Sequence, residues 1–241
     1  MTPAKTYRRG YPVALLIGLG PNQAVLWKVF THVVKLERTI NFSGSRSDAK
    51  AVYNFYEEII NAIRPAIREG TKSVIVASPT RTNLSSEFLS HVQSHHSWLT
   101  QGGEKTTFAE MTGSAITLHD VTLLTRTVEF RNTIGETTLQ ETENMLELLE
   151  KNLNASTPEP LVLYSLEDIE DKIFGTWLPG KVKPDYLMLT DTYLSGTRQR
   201  GRLQRLIQVA ANRKVKSRIV KADSRAGKRI MQLGGMVCIL K

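Results

Sequence analysis

The sequence contains a single cysteine, Cys238, in a chain of 241 residues. A disulfide framework is therefore excluded, and a reducing compartment is the expected location. The sequence also lacks any apolar run near the ~20 residues that a membrane-spanning helix needs. Residues 1–9 are polar, and the apolar run from Val13 ends at Gly18, so a signal peptide is not expected. We therefore predict a cytoplasmic protein with no membrane partner.

Acidic residues are nearly absent from the C-terminal part of the chain. Residues 196–241 contain 13 lysine and arginine residues and one acid, Asp223, for a net charge of +12. Because the whole chain carries +9, residues 1–195 carry −3. A basic excess confined to one segment is typical of proteins that bind a polyanion, most simply nucleic acid. A solubilising surface is the alternative. The predicted RNA-binding residues there are Arg198, Arg200, Arg202, Arg205, Arg213, Lys214, Lys216 and Arg218.

Apolar runs of strand length alternate with helical patterns along the chain. Hydrophobic residues make up 41% of the sequence, which is typical of a globular protein. The first two predicted strands are 11–18 and 24–34, and a buried strand is predicted at 73–77. Strands separated by helices of about ten residues predict the α/β class, with two compact domains that each contain a mixed central sheet flanked by helices. We place the domain change within 129–160 and assign residues 1–135 and 136–241 to the two domains.

A polar loop from Ile40 to Asp48 has Gly44, Ser45 and Arg46 at its tip and leads into an amphipathic helix. Apolar residues recur there at steps of three and four up to residue 67. Ser47 is the expected N-cap of this helix. Glycine at a loop tip permits unusual backbone angles and a close approach to another molecule. The alternative is an ordinary solvated connection between a strand and a helix.

Metal and cofactor motifs are weak in this sequence. His91, His95 and His96 lie close together, but no cysteine or carboxylate stands nearby at matching spacing, so we predict a polar helix end and no metal. The Gly18-Leu-Gly20 segment leads through Pro21 into a strand instead of a helix, which excludes a dinucleotide fingerprint. No cofactor is predicted.

Four segments together resemble the middle and C-terminal domains of the archaeo-eukaryotic release factor and Pelota family. The most specific is the closing segment, in which a glycine, spaced apolar residues and a Gly-Gly pair precede an apolar strand that ends in a basic residue. The segments are Ser47–Ile59, Ser73–Pro79, Tyr186–Asp191 and Gly227–Lys241. The resemblance extends over nearly the whole chain from Tyr11 onward. The family's N-terminal domain has no counterpart in this sequence.

The loop tip differs from that of the true release factors, which carry Gly-Gly-Gln. The matching positions are Gly44, Ser45 and Arg46. A family relative that releases peptides from stalled large subunits uses Gly-Ser-Gln, so Ser45 is compatible with activity, whereas the glutamine is missing. A backbone N–H of such a loop can stabilise an oxyanion. Arg46 is a fork-shaped donor suited to phosphate and a poor general base. Arg38 and Lys50 flank the loop and add candidate phosphate contacts.

Three functional hypotheses follow from these patterns. The first is a ribosome-binding translation factor in rescue, quality control or dormancy, with residues 42–48 directed toward the peptidyl-transferase centre. The second is a peptidyl-tRNA hydrolase that frees nascent chains, with Gly44, Ser45 and Arg46 as its catalytic loop; the third is a general RNA-binding protein. The resemblance implies that the partners are large-subunit ribosomal RNA, peptidyl-tRNA, and an elongation-factor-like GTPase or a subunit-splitting ATPase.

Overall fold

Helices and strands alternate along the chain and build two mixed sheets flanked by helices, which confirms the predicted α/β class. The computed structural model describes residues 10–102, 105–157 and 160–241. Within these residues the chain divides into two compact units. The first contains 10–65, 71–100 and 106–138, and the second contains the remaining described residues.

The sheet of the first unit has five strands in the order β3-β2-β1-β4-β5. The three strands β1 to β3 pair in antiparallel fashion, whereas β4 is parallel to both β1 and β5. The elements are β1 Pro12–Leu19, β2 Gln23–Phe30, β3 Val34–Asn41, α1 Ala49–Arg68, β4 Ser73–Ser78, α2 Leu84–His95, α3 Ser97–Thr100, β5 Thr107–Thr112, α4 Leu118–Leu124 and α5 Val128–Leu153.

The two strands at the middle of this sheet, β1 and β4, are buried over most or all of their length. Leu16 and Ile75 pack with Trp27 in the core on one face, and the Trp27 indole N–H donates to the Ala115 carbonyl at 2.7 Å. The apolar stripe of α1 is also buried from Tyr56 to Ile67, whereas Val52 at its start is partly buried. A strand that is buried on both faces has a continuous run of apolar residues in its sequence. For this reason the segment around residue 75 can be predicted as a buried strand.

Three boundaries differ from the sequence-based expectations. Residues 24–34 are not one strand, because a tight turn in which the Phe30 N–H donates to the Val33 carbonyl separates β2 from β3. Pro65 is expected from the sequence to bend the last turn of α1 or to end it early, whereas α1 continues past this proline to Arg68. The sequence predicts an acidic helix over Thr138–Leu153, whereas the helix found there, α5, begins ten residues earlier at Val128.

The sheet of the second unit has four strands in the order β6-β9-β7-β8. Only β7 and β8 are parallel among these described strands, and β9 is antiparallel to both of its neighbours. The elements are β6 Val162–Leu163, α6 Leu166–Phe174, β7 Pro184–Thr190, α7 Asp191–Gly196, α8 Arg200–Asn212, β8 Lys216–Val220, α9 Arg225–Gln232 and β9 Met236–Leu240.

Apolar cores cover both faces of this second sheet. Cys238 lies in β9 inside one of these cores, and burial raises the pKa of its thiol to about 12. Since the thiolate is the reactive form of cysteine, Cys238 is placed to act as a packing residue of the core.

The division between the two units falls between Thr138 and Leu139, inside α5. The assignment of 1–135 and 136–241 to separate domains stays a prediction. Residues 158–159, which belong to the segment where the domain change was expected, lie outside the described residues. Among the helices that the structure describes, none is long and apolar enough to cross a bilayer.

Candidate nucleic-acid interface

The predicted loop is the short connection of residues 42–48 between β3 and α1. Its last residue, Asp48, is the N-cap of α1, because its Oδ1 atom accepts the backbone N–H groups of Lys50 at 2.9 Å and Ala51 at 3.3 Å. The prediction that Ser47 is the cap was therefore wrong by one residue. Instead, the Ser47 hydroxyl forms a hydrogen bond with the Ser45 hydroxyl at 2.7 Å.

The tip of this loop folds back over the start of α1. The Asp48 N–H donates to the Ser45 carbonyl at 3.0 Å, which closes a tight turn. Gly44 has a φ of +140°, and a Cβ atom at this position would lie 2.9 Å from the Ala51 Cβ. The glycine is therefore required by the turn itself. Gly44 and Ser45 are both exposed to solvent, so the backbone at the tip is accessible.

Arg46 does not extend from the loop but turns inward. Its Nε and Nη2 atoms donate to the carbonyls of Pro21 and Gly20 at 3.0 and 2.9 Å. Its guanidinium carbon also lies 4.4 Å from the ring centroid of Phe42 and 5.2 Å from that of Phe55. A guanidinium held by two carbonyls and two aromatic rings fastens the loop to the unit and is not positioned as a free phosphate ligand.

The two basic residues that flank the loop are both on the surface. Arg38 lies on β3 and forms an exposed ion pair with Glu58 on α1 at 3.3 Å. Exposed pairs of this kind contribute little to stability because solvent and salt screen them. Lys50 is exposed in the first turn of α1. Together with the accessible tip, these residues form the loop surface, defined here as Arg38, Gly44, Ser45 and Lys50.

The second predicted set of basic residues separates into two groups. The α8 arginine group consists of Arg198, Arg200, Arg202 and Arg205, and all four residues are exposed. Arg200 donates to the Ser195 carbonyl, and Arg205 lies 5.6 Å from the ring centroid of Phe174. Arg202 donates to both carboxylate oxygens of Glu170 at 2.8 Å, and these hydrogen bonds raise the pKa of its guanidinium. This group is the most accessible basic surface of the predicted set.

The residues around β8 are mostly engaged within the unit. The side chain of Arg213 donates to the carbonyls of Phe174 and Gly175 and stacks over Trp177. Lys216 forms an ion pair with Asp185 at 3.2 Å. Lys214 alone of this group is exposed, at a φ of 62°.

Arg218 is buried and forms an ion pair with Glu141 on α5, and the side-chain exposures are only 2% and 1%. The prediction that Arg218 contacts RNA is not compatible with this position. Its role is structural, because a buried charge requires a partner of opposite sign.

The positive charge of the last 46 residues is partly balanced by acidic residues from elsewhere in the folded units. Residues 139–241 contain 17 basic and 12 acidic residues, a net charge of +5, which leaves +4 for residues 1–138. Acidic residues of α5 and α6 pair with the basic C-terminal residues, as in Glu143 with Arg225, Glu150 with Arg229 and Glu170 with Arg202. The exposed α8 arginine group, and not the net charge, therefore defines the candidate interface.

A cluster of one carboxylate and two histidines also forms in the first unit. Glu57 on α1 lies against His91 and His96, although 34 and 39 residues separate it from them in the sequence. The three residues offer one ligand atom each within 4.8 Å of one another, which a metal ion could use. The expectation of no metal considered only ligands close to the histidines in the sequence, whereas Glu57 comes from another helix. No local signal in the sequence indicates this contact, because Glu57 lies on a different helix from the two histidines.

Comparison with known proteins identifies the fold through structure alone. No protein-family profile matches the sequence, and no curated protein matches it significantly. A structure of ribosome-bound archaeal Pelota and ABCE1 contains a similar chain, with a TM-score of 0.54, 15% identity and 99% of this chain covered. The structure of Dom34 from S. cerevisiae, a translation termination-like factor, gives a TM-score of 0.50, 17% identity and 99% coverage.

This chain spans 64% of the Pelota chain and 65% of Dom34, so each of those proteins contains a region without a counterpart here. The similarity includes both units, as the four sequence segments implied. The chain therefore has a Pelota-like release-factor fold over nearly its whole length.

Proposed function

We propose that this protein is a ribosome-binding translation factor that acts in ribosome rescue, quality control or dormancy. The observation that carries the proposal is the likeness of nearly the whole chain to ribosome-bound archaeal Pelota, across both units. Dom34, the second similar structure, is described as part of RNA quality control pathways. In this proposal residues 42–48 are directed toward the peptidyl-transferase centre of the large subunit. The protein acts in the cytoplasm.

Binding without peptide release is the better supported form of this proposal. Hydrolysis of an ester needs a positioned water and a group that assists the attack. The loop tip lacks the glutamine of the release factors, and Arg46 is held by the Gly20 and Pro21 carbonyls. A guanidinium also does not act as a base at neutral pH. The peptidyl-tRNA hydrolase alternative then rests on the backbone N–H groups of Gly44 and Ser45 alone.

The α8 arginine group supplies the contact to ribosomal RNA in this proposal. Arginine binds phosphate through its planar fork of donors, and Arg198, Arg200 and Arg205 have no acidic partner among the ion pairs of the described residues. Each phosphate contact contributes affinity that falls as the salt concentration rises. The group is compact in sequence and lies at the start of α8. A small number of salt-sensitive contacts at one place on the second unit is therefore expected.

The proposed protein partners follow from the same likeness. One neighbour was determined with ABCE1, and the other is described as interacting with Hbs1. We propose that this chain likewise works with an elongation-factor-like GTPase or a subunit-splitting ATPase.

Co-sedimentation with large ribosomal subunits tests the proposal. The wild-type chain is expected to sediment with large subunits at about 50 mM salt and to dissociate steeply toward about 200 mM. A double variant, Arg198→Glu with Arg205→Glu, is expected to lose most of this binding. The matched control is Lys181→Glu with Lys228→Glu, because it makes the same change in net charge at exposed lysines outside the group.

Absence of sedimentation at low salt would contradict ribosome binding. Equal loss in both double variants would show that net charge, and not the α8 arginine group, controls affinity. If unstructured RNA competes as well as large subunits do, the protein is a general RNA-binding protein and the ribosomal assignment fails.

A further inference from the structure

The helices α1 and α2 bring together one carboxylate and two imidazole groups. The Glu57 Oε1 atom lies 3.0 Å from the His91 Nε2 atom and 2.6 Å from the His96 Nε2 atom. Both histidine side chains are buried, with exposures of 7% and 8%, whereas the Glu57 side chain keeps 27% of its surface. The three ligand atoms therefore lie within 4.8 Å of one another, and the carboxylate keeps contact with solvent.

The local backbone explains why His96 rather than His95 joins His91. His96 is the C-cap of α2, with φ −128° and ψ 45°, so the chain leaves the helix path there. His95, at the helical spacing of four residues from His91, is exposed and has its ring against Tyr53. The end of α2, and not the four-residue spacing of the helix, therefore determines which histidine joins His91.

Aromatic neighbours restrain the two buried imidazole rings. The His91 ring has centroid distances of 5.0 Å to Tyr53 and 5.3 Å to Tyr56. The His96 ring lies 6.3 Å from the ring of Trp98. Rings held in this way keep their nitrogen atoms directed at one point, and such preorganisation is what a metal site requires from its surroundings.

We propose that Glu57, His91 and His96 form a binding site for a divalent transition metal ion, with Zn²⁺ as the expected occupant. Two imidazole nitrogens and one carboxylate oxygen are a known zinc ligand set that leaves a fourth position for water. Zinc bonds to nitrogen and oxygen measure about 2.0–2.2 Å, which separates tetrahedral ligands by roughly 3.4 Å. The present distances of 2.6 and 3.0 Å must therefore open slightly.

Proton placement distinguishes the metal-bound state from the hydrogen-bonded one. In the hydrogen-bonded arrangement the Glu57 oxygen accepts from both Nε2 atoms, so each must carry a proton. In the metal-bound state each imidazole is neutral with its proton on Nδ1, and the Nε2 lone pair binds the ion. The bound ion replaces two hydrogen bonds with three coordinate bonds that join α1 to the end of α2. This site is independent of ribosome binding and of the α8 arginine group.

Zinc binding to the untagged full chain tests the proposal. After chelator treatment and dialysis, the wild-type chain is expected to bind one Zn²⁺ per molecule by elemental analysis and to unfold at a higher temperature with zinc. Co²⁺ in place of zinc is expected to give visible ligand-field absorption. Failure of the wild-type chain to bind one ion would overturn the proposal, whatever the variants do.

Two pairs of variants test whether the bound ion lies at the proposed site. Glu57→Gln and His96→Ala each alter a proposed metal ligand. Changing a residue that only hydrogen-bonds to a ligand weakens metal binding by about 10- to 100-fold. Each of the two variants is expected to weaken zinc binding by more than that. Their matched controls are Glu58→Gln, which alters the exposed neighbour paired with Arg38, and His95→Ala, which alters the exposed adjacent histidine. Both controls are expected to keep full zinc binding. Equal losses in a ligand variant and its control would show adventitious surface binding and contradict the site.

Discussion

At the scale of single residues, Arg46 shows how an apparent functional residue serves the fold. Arg46→Ala removes two hydrogen bonds from a charged donor and the contacts with Phe42 and Phe55. We expect the free energy of unfolding to fall by about 2 kcal/mol, measured by urea denaturation. Arg46→Lys is expected to recover little of this loss, because an ammonium group lacks the planar fork.

The matched control for this prediction is Lys50→Ala, which alters an exposed residue of the same loop region and should change the stability by less than about 0.5 kcal/mol. A fully stable Arg46→Ala variant would mean that the guanidinium is free to bind a ligand, and the structural role argued above would be wrong.

Arg218 provides a second prediction at this scale. Its ion pair with Glu141 is almost completely buried, so Arg218→Ala removes a positively charged partner of the Glu141 carboxylate inside the core. We expect a loss of roughly 3–5 kcal/mol in the free energy of unfolding. The exposed Arg198, altered to alanine, should leave stability within about 0.5 kcal/mol of the wild type. If Arg218→Ala unfolds like the wild type and only weakens RNA binding, the buried position is incorrect.

At the scale of helices and strands, α9 needs a glycine where it packs closely against the backbone just before the helix. A Cβ atom on Gly227 would lie 1.9 Å from the Lys221 carbonyl oxygen. Gly227→Ala should therefore displace α9 and lower the free energy of unfolding by about 1–3 kcal/mol, measured by chemical denaturation.

The matched control is Gly135→Ala in the middle of α5, where an added Cβ atom meets nothing within 4 Å. Because alanine favours helix more than glycine does, this change should raise stability by about 0.5–1 kcal/mol. Destabilisation in both variants would show that the packing around Gly227 is not the cause.

The elements were more predictable from the sequence than the contacts between them. Helix and strand periodicity depends on neighbouring residues, so α1, β4 and the α/β class could be read directly. The turn that separates β2 from β3 has no glycine or proline, and therefore gave little local signal.

The contacts that decide the roles of the candidate residues join distant parts of the chain. Arg46 reaches a carbonyl 26 residues away, Glu57 meets His91 across 34 residues, and Arg218 meets Glu141 across 77. Sequence spacing contains no direct record of such pairs. The same reason explains why the basic C-terminal segment has few acidic residues near it in the sequence. Its acidic partners lie on α5 and α6.

At the scale of the whole molecule, both units match the Pelota-like release-factor fold, whereas the catalytic glutamine of the release factors has no counterpart at the loop tip. Under the proposed function, such a protein occupies a ribosomal site and leaves the peptidyl ester intact. Binding and release are therefore the two quantities that must be separated experimentally.

The most direct test measures both quantities on one sample of stalled ribosomal complexes that carry a labelled peptidyl-tRNA. We expect the wild-type chain to sediment with these complexes at low salt and the labelled peptide to remain attached, while puromycin releases it in a parallel sample. Peptide release at a rate that depends on the added chain would contradict binding without release, and the absence of the chain from the sedimented complexes would contradict ribosome binding.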